Sequence, residues 1–199
     1  MLKRWMTAVG ALAVCGGSCI GQTNGRFEFG FDRLVVSPSS REVTMTVYAA
    51  WDQIAPGDFV LGAVNYDLLA DSGEFTSAAL ILGMNPPNNA GLIKANRING
   101  AAIGQVHIPG TLGVLGNPDN PIALAEYVWT TTDFSARTVG FVSEHTQNFS
   151  VVPGPGGVSI NLFPDEFTPG FGSITVVPAP SSVFILVIAG LTATRRRRS

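Results

Sequence analysis

Cysteine, histidine and charged residues are all scarce in this chain of 199 residues, and each scarcity argues against a class of structure or function. The two cysteines are Cys15 and Cys19, so the chain beyond residue 21 has neither a thiol nor a disulfide. Stability of that part must come from ordinary burial and hydrogen bonding. The two histidines are His107 and His145, and no His-Glu-x-x-His or Gly-x-Ser-x-Gly motif accompanies them. The sequence therefore predicts a protein that is not an enzyme.

Basic residues are rare in the body of the chain, which we take as residues 22–176. Charged residues make up 13 % of the chain, and six of the twelve Lys and Arg lie in the two end segments. The body keeps six basic against fourteen acidic residues, a formal charge of about −8. Such a body has no basic stripe to neutralise phosphates, which excludes nucleic-acid binding. An anionic membrane surface repels it, so membrane contact is expected through the tail alone.

The N-terminus has the three parts of a secretory signal peptide. Lys3 and Arg4 form a positive region, residues 6–15 are mostly apolar, and small residues dominate 16–21. We predict that residues 1–21 are a signal helix read by Sec-type export machinery, and that the mature chain begins between residues 16 and 25. Two alternatives stay open: an uncleaved membrane anchor, for which the apolar region is short, and a lipoprotein signal.

The C-terminus consists of a motif, an apolar segment of residues 183–194 and an arginine cluster. The motif is Val177, Pro178, Ala179, Pro180, Ser181 and Ser182, and the cluster is Arg195, Arg196, Arg197 and Arg198. Twelve helical residues reach about 18 Å, short of a hydrocarbon core of ~30 Å. Four adjacent arginines resist translocation and stay cytoplasmic. We therefore predict a C-terminal transmembrane helix that stops at the arginines, with a buried helix and basic tail as the alternative.

This ordered ending resembles the PEP-CTERM sorting tail of bacterial exported proteins over about 23 residues, Val177 to Ser199. Ala179 stands where that family usually has Glu. The resemblance implies that an exosortase, a membrane-embedded processing enzyme, recognises the motif at 177–182. It also implies a precursor anchored in the inner membrane and then released or relocated to the cell surface or extracellular matrix.

Apolar residues of the body repeat mostly with period two, between turns rich in Gly, Pro, Asn and Asp. This pattern predicts an all-β protein with a single β-sandwich domain at 22–176, Ig-like or jelly-roll-like, of eight to ten strands. A small helix is predicted at 92–97. The predicted strands are 26–36, 42–51, 59–69, 75–82, 103–108, 122–131, 137–143, 158–162 and 173–177.

The sequence around Ala49-Ala50-Trp51-Asp52 and the following strand is similar to cohesin or carbohydrate-binding sandwich domains. That resemblance transfers no residue-level function. Trp51 and Trp129 are the candidate ligand-binding residues, as a sugar-stacking platform, although a sandwich without disulfides needs its aromatics in the core. If Trp129 is in the core, strand alternation places Ala123, Ala125 and Tyr127 on the same face.

Loop oxygens suggest a structural calcium ion as the one cofactor to consider, although no EF-hand pattern is present. The candidate ligands are Asp52, Asp58, Asn117, Asp119 and Asn120. No other metal or cofactor is predicted.

Three functions are compatible with the sequence. The first is an exported, non-catalytic protein of the cell surface or matrix, with a structural or adhesive sandwich. The second is a carbohydrate-binding module for extracellular polysaccharide, which needs two or three exposed aromatics on one face. The third is an extracytoplasmic hydrolase, which needs His107 or His145 in a cleft with a hydroxyl and a carboxylate.

Overall fold

The computed structural model describes residues 24–52, 59–81, 88–105, 119–153, 160–162 and 167–179. The regular secondary structure of these residues consists of twelve β-strands and no helix. The strands are β1 (Gly25–Phe31), β2 (Val35–Val36), β3 (Glu42–Trp51), β4 (Phe59–Ala70), β5 (Glu74–Leu80), β6 (Leu92–Lys94), β7 (Arg97–Gly104), β8 (Ile122–Thr130), β9 (Arg137–Pro153), β10 (Ile160–Leu162), β11 (Phe167–Thr168) and β12 (Phe171–Val176).

The strands form two sheets that pack face to face. A five-stranded sheet has the order β11-β1-β3-β8-β5. A seven-stranded sheet has the order β2-β12-β9-β4-β7-β6, with β10 also paired to β9. Neighbouring strands are antiparallel except in two pairs, β1 with β11 and β2 with β12. The predicted all-β class and sandwich architecture are confirmed.

Strand β3 has the bounds that its alternation predicts. Val43, Met45 and Val47 point into the core and are fully buried, because every second side chain of a strand faces the same side. The pairing register with β8 then shifts between Val47 and Tyr48.

The shift makes a bulge in β8. Leu124 and Ala125 are both buried there, although they are neighbours in sequence. Tyr127 shares the buried face of Trp129 as predicted. The expectation that Ala123 lies on that face is wrong, because the extra residue of the bulge turns it to a half-exposed position.

The helix predicted at 92–97 is wrong. Leu92–Lys94 is β6, Arg97 begins β7, and the two residues between them form a tight turn. Ala95 has a φ of 50°, and its carbonyl accepts a hydrogen bond from the Phe75 N–H at 2.8 Å. Asn96 donates its side-chain amide to the Ala70 carbonyl at 2.7 Å. Hydrogen bonds to β4 and β5, one from a side chain and one from the backbone, therefore hold this segment in a turn and not in a helix.

Other predicted strands match in position but differ in length. The predictions at 59–69, 75–82 and 122–131 correspond to β4, β5 and β8. The prediction at 26–36 splits into β1 and β2, and the one at 137–143 is only the beginning of the long β9. Strands β6 and β11 were not predicted, so twelve strands occur in the described residues where eight to ten were expected.

The core contains a hydrogen-bonded pair of tyrosines that joins the two sheets. Tyr66 of β4 and Tyr127 of β8 place their hydroxyl oxygens 2.9 Å apart, and the Tyr127 hydroxyl donates to the Ala90 carbonyl at 2.9 Å. Since each hydroxyl has one proton, Tyr66 is the donor in the pair. Burial raises the pKa of both phenols well above their ordinary value.

The described chain begins and finishes at opposite ends of the sandwich. Gly25 pairs with Trp51 at one end, and Val176 pairs with Arg137 at the other, where β8 has finished and β9 starts. Within the described residues no helix is long and apolar enough to cross a membrane. The predicted signal helix at 1–21, the apolar segment at 183–194 and the arginine cluster at 195–198 lie outside the described residues.

Candidate binding surface on the outer face of the seven-stranded sheet

An exposed aromatic ring stands at one side of the seven-stranded sheet. Phe171 of β12 is 72 % exposed, and it is the single exposed aromatic among the side chains that the structure describes. Its neighbour Gly172 faces inward, where an added Cβ would lie 2.7 Å from the Phe31 ring. The inward site of β12 is therefore filled by Phe31 from the other sheet, and Phe171 points outward.

The pairing registers extend this position into a row across the sheet. Phe171 lies opposite Val142, Val142 opposite Leu69, and Leu69 opposite Arg97. Lys94 of β6 completes the row opposite Arg97. Residues directly opposite each other in a sheet share a face. The apolar side chains of this row therefore form a strip that continues into the basic side chains of Arg97 and Lys94. We call this row, together with Leu92, the outer-face row; Leu92 is 61 % exposed.

Arg97 is held in place by two carboxylates. Its guanidinium donates to Glu144 Oε2 at 3.0 Å and lies 4.0 Å from Asp67 Oδ2. The three side chains are between 21 % and 32 % exposed, so each is partly shielded from water. Asp67 also accepts a hydrogen bond from the Gly100 N–H at 2.7 Å, which ties β4 to β7. This arrangement fixes one guanidinium face beside the apolar strip.

Both candidate tryptophans belong to the core. Trp51 is 3 % exposed and Trp129 is fully buried. The Trp129 ring packs on Phe141 at a centroid distance of 5.7 Å, and its Nε1 donates to the Ser72 carbonyl at 2.9 Å. The core placement is confirmed, and neither ring is available to stack on a sugar.

The candidate calcium ligands within the described residues have structural partners. The Asn120 side chain accepts from the Trp51 N–H at 3.1 Å and donates to its carbonyl at 2.6 Å. Asp52 accepts from Arg26 at 3.2 Å. Over the described ranges no group of three His, Cys, Asp or Glu side chains could hold a metal ion. Asp58 and Asn117 lie outside the described residues, as do His107 and the side chain of His145.

The predicted sorting motif begins where the sandwich finishes. The Val177 N–H donates to the Val36 carbonyl at 2.8 Å, which continues the pairing of β12 with β2. Pro178 and Ala179 follow in an exposed, non-regular segment. Pro180, Ser181 and Ser182 lie outside the described residues.

The outer-face row was missed by the sequence interpretation, which placed Arg97 in a helix. A signal was present in Gly170-Phe171-Gly172. A large ring between two glycines in a strand indicates that only one face at that point is crowded. The long-range registers that bring Phe171, Val142, Leu69 and Arg97 together could not be read from local patterns.

No protein-family model matches the chain, and no curated protein matches it. Among solved structures, the seventh ScaB type I cohesin from Pseudobacteroides cellulosolvens superimposes with a TM-score of 0.50 and 16 % identity, covering 80 % of this chain and 96 % of that one. The body has a cohesin-like fold. A cohesin module of a family 33 glycoside hydrolase from Clostridium perfringens gives a TM-score of 0.40 and 13 % identity, covering 79 % and 99 %. The expected resemblance of the body to cohesin sandwiches is confirmed at the level of fold.

Proposed function

We propose that the chain is an exported bacterial envelope protein whose tail sorts a non-catalytic, adhesive β-sandwich to the cell surface or matrix. The observation that carries the sorting is the position of the motif. Within the described residues, the last backbone hydrogen bond of the sandwich is made by Val177, and the exposed Pro178 follows directly. A processing enzyme can engage residues 177–182 only if the folded body does not cover them. Of the three motif residues that the structure describes, Pro178 and Ala179 are exposed, whereas Val177 is half-buried in its pairing with Val36.

Sorting is tested by the ends of the exported protein. The N-terminal residue is expected between positions 16 and 25, and the C-terminal peptide of the mature form is expected to lack the arginine cluster. Mass spectrometry of protein recovered from envelope and medium measures both. A start at Met1 contradicts export through the signal peptide, and an intact C-terminus on surface protein contradicts processing.

For the adhesive part we propose that the outer-face row binds a protein partner. Phe171 offers a large apolar ring, and Arg97 is held by Glu144 and Asp67 at the other side of the apolar strip, with β9 and β4 between the two residues. Aromatic and arginine side chains supply most of the binding energy at protein interfaces. The similarity to a type I cohesin supports a binding module over a catalytic one. A carbohydrate platform needs several exposed rings, and the described side chains offer one.

Binding is tested with the purified full chain and the exoprotein fraction of the source cells. Phe171→Ala and Arg97→Ala are expected to lower retention of a specific partner by at least tenfold each, about 1.4 kcal/mol or more. Leu80→Ala is the matched control, because Leu80 is 37 % exposed on the five-stranded sheet. Retention of glycans that depends on Phe171, measured on an array with and without calcium, would instead favour the carbohydrate alternative.

A further inference from the structure

Exposed aliphatic side chains border the end of the sandwich from which the tail leaves. Leu34 is 49 % exposed and Val35 is 53 % exposed. Both lie beside the last strand, because Val35 pairs with Thr175 and the Leu34 carbonyl accepts from the Thr175 N–H at 2.8 Å. We call this region, residues 32–41, 131–136 and 177–179, the exit end.

Three of the six basic residues of the body lie at or next to the exit end: Arg33, Arg41 and Arg137. Two of them pair with carboxylates of the same end, Arg33 with Asp32 and Arg137 with Asp133, each at 3.0 Å. The Arg41 guanidinium lies 5.8 Å from the centroid of the half-buried Phe134 ring. Aliphatic side chains beside arginines suit a membrane interface, where the apolar part enters the lipid and the guanidinium stays at the headgroups.

The opposite end of the sandwich also carries carboxylates. Asp52 and Asp119 are exposed there, close to the first described residue, Asn24. A bilayer that meets the exit end is separated by the length of the sandwich from these carboxylates, and charges further apart than about 8–10 Å are largely screened at physiological salt.

The tail keeps the exit end close to the membrane. Six peptide steps separate Val177 from Val183, the first residue of the predicted apolar segment. Fully extended, that stretch spans at most ~20 Å. A tether this short gives an effective concentration of about millimolar, so a contact too weak to hold the free body becomes occupied in the anchored one.

We propose that the exit end, through Leu34 and Val35, rests on the outer surface of the lipid bilayer while the precursor is anchored. The inference depends on the anchoring tail proposed above. It revises the expectation from net charge that the tail alone meets the membrane. The contact places the strands along the membrane normal, so the outer-face row, which crosses the strands, runs parallel to the bilayer surface. The end that carries Asp52 and Asp119 points outward.

The test uses the chain from residue 22 to residue 199, the exported form without the predicted signal peptide, which contains no cysteine, reconstituted in vesicles of phosphatidylethanolamine and phosphatidylglycerol. A single thiol is introduced by Leu34→Cys, or by Asp52→Cys at the opposite end as the matched control, and labelled with an environment-sensitive fluorophore. Flotation measures anchoring, and a chain ending at Ser182 shows whether the tail causes it. Unchanged melting temperatures show that the labelled variants fold.

The expected result is flotation of both labelled variants, with a blue shift and quenching by brominated lipid at position 34 and neither at position 52. Inserting about twenty Gly and Ser residues between Ser182 and Val183 should weaken the signal at position 34, because a longer tether lowers the effective concentration.

If the chain floats but both probes remain in water, the lipid contact is wrong and the tail anchor is retained. Failure to float, or flotation that survives truncation at Ser182, overturns the tail anchor and the inference with it. A shift at position 34 only when a processing enzyme shares the vesicle overturns the lipid contact in favour of a protein one.

Discussion

At the scale of one residue, Trp129 shows how core packing stabilises a sandwich that contains no disulfide. Its ring is fully buried against Phe141, and its Nε1 has a backbone acceptor at Ser72. Trp129→Ala removes the largest fully buried side chain of the described residues and should lower the free energy of unfolding by about 3–5 kcal/mol. Urea unfolding measures the change. Phe171→Ala is the control and should cost less than about 0.5 kcal/mol, since its ring is exposed; equal losses would contradict the assignment of the core.

The tyrosine pair predicts an asymmetry between two similar substitutions. Tyr66→Phe leaves the bond from Tyr127 to the Ala90 carbonyl intact. Tyr127→Phe removes that bond and also leaves the Tyr66 hydroxyl without its acceptor. Tyr127→Phe should therefore cost about 1 kcal/mol more than Tyr66→Phe. Chemical denaturation at neutral pH compares the two, and the reverse order would show that the pair is oriented differently.

The same pair predicts the response to alkali. The folded-state pKa of each phenol is raised above the value of about 10 that an unfolded tyrosine has. The unfolded state therefore loses protons first, and stability that is fully present below pH ~10 falls as the pH rises further. Replacing both tyrosines with Phe should flatten this fall between pH ~10 and ~12, as measured by unfolding at each pH. An unchanged slope would assign the alkaline loss to other groups.

The sequence predicted the position of single side chains most reliably where hydrophobic burial alone determines that position. Trp51 and Trp129 were expected in the core on the ground that a disulfide-free sandwich needs aromatics there, and they are buried. Phe171 was not singled out, because its exposure depends on Phe31 of the other sheet filling the inward site. Local sequence does not contain that contact.

At the scale of the element, two glycines with positive φ offer a matched comparison. Gly73, with a φ of 78°, lies in the turn between β4 and β5, where an added Cβ would meet Trp129 Cζ2 at 2.3 Å. Gly100 in β7 has a φ of 67° and no atom within 4 Å of that position. Gly100→Ala should cost about 1–2 kcal/mol for the left-handed backbone. Gly73→Ala should cost a further 1–3 kcal/mol for overpacking, measured as a lower midpoint in urea. Equal effects would mean that Trp129 moves aside freely.

Period-two alternation predicted the long central strands well. Strand β3 was predicted with its observed bounds, because one of its faces is buried along most of its length. Alternation failed at β6 and β7, where Leu92 and Ile93 resembled a helical turn. Their conformation depends on Asn96 binding β4 and on Ala95 binding β5, which are contacts distant in sequence.

At the scale of the whole molecule, the tail is expected to act as a signal with separable parts. Replacing Arg195, Arg196, Arg197 and Arg198 with Ser should release uncleaved protein into periplasm or medium, because each arginine costs about 2.5–3.5 kcal/mol at the bilayer centre and the apolar segment is short. Pro178→Ala with Pro180→Ala should leave the protein membrane-bound and unprocessed, since a proline keeps the preceding residue extended.

Ala179→Glu, which restores the usual residue of PEP-CTERM tails, should be tolerated or improve processing. Fractionation with a C-terminal epitope distinguishes the variants. Identical behaviour of all of them and the parent would mean that the tail does not sort the protein. The organisation of the two ends stays a prediction from sequence. Period-two alternation predicted the sandwich class, whereas the strand order could not be predicted, because several topologies satisfy the same alternation.

The opposite placement of the two ends of the described chain also decides how the sandwich responds to force. When the tail is held and the far end is pulled, tension enters β12 at Val176 along the strand axis. The hydrogen bonds from β12 to β9, over the register from Phe171 to Val176, lie perpendicular to that axis. They are therefore sheared together and cannot open one at a time. A surface protein attached in this way resists stretching between its anchor and its surroundings through its last strand, without a covalent cross-link.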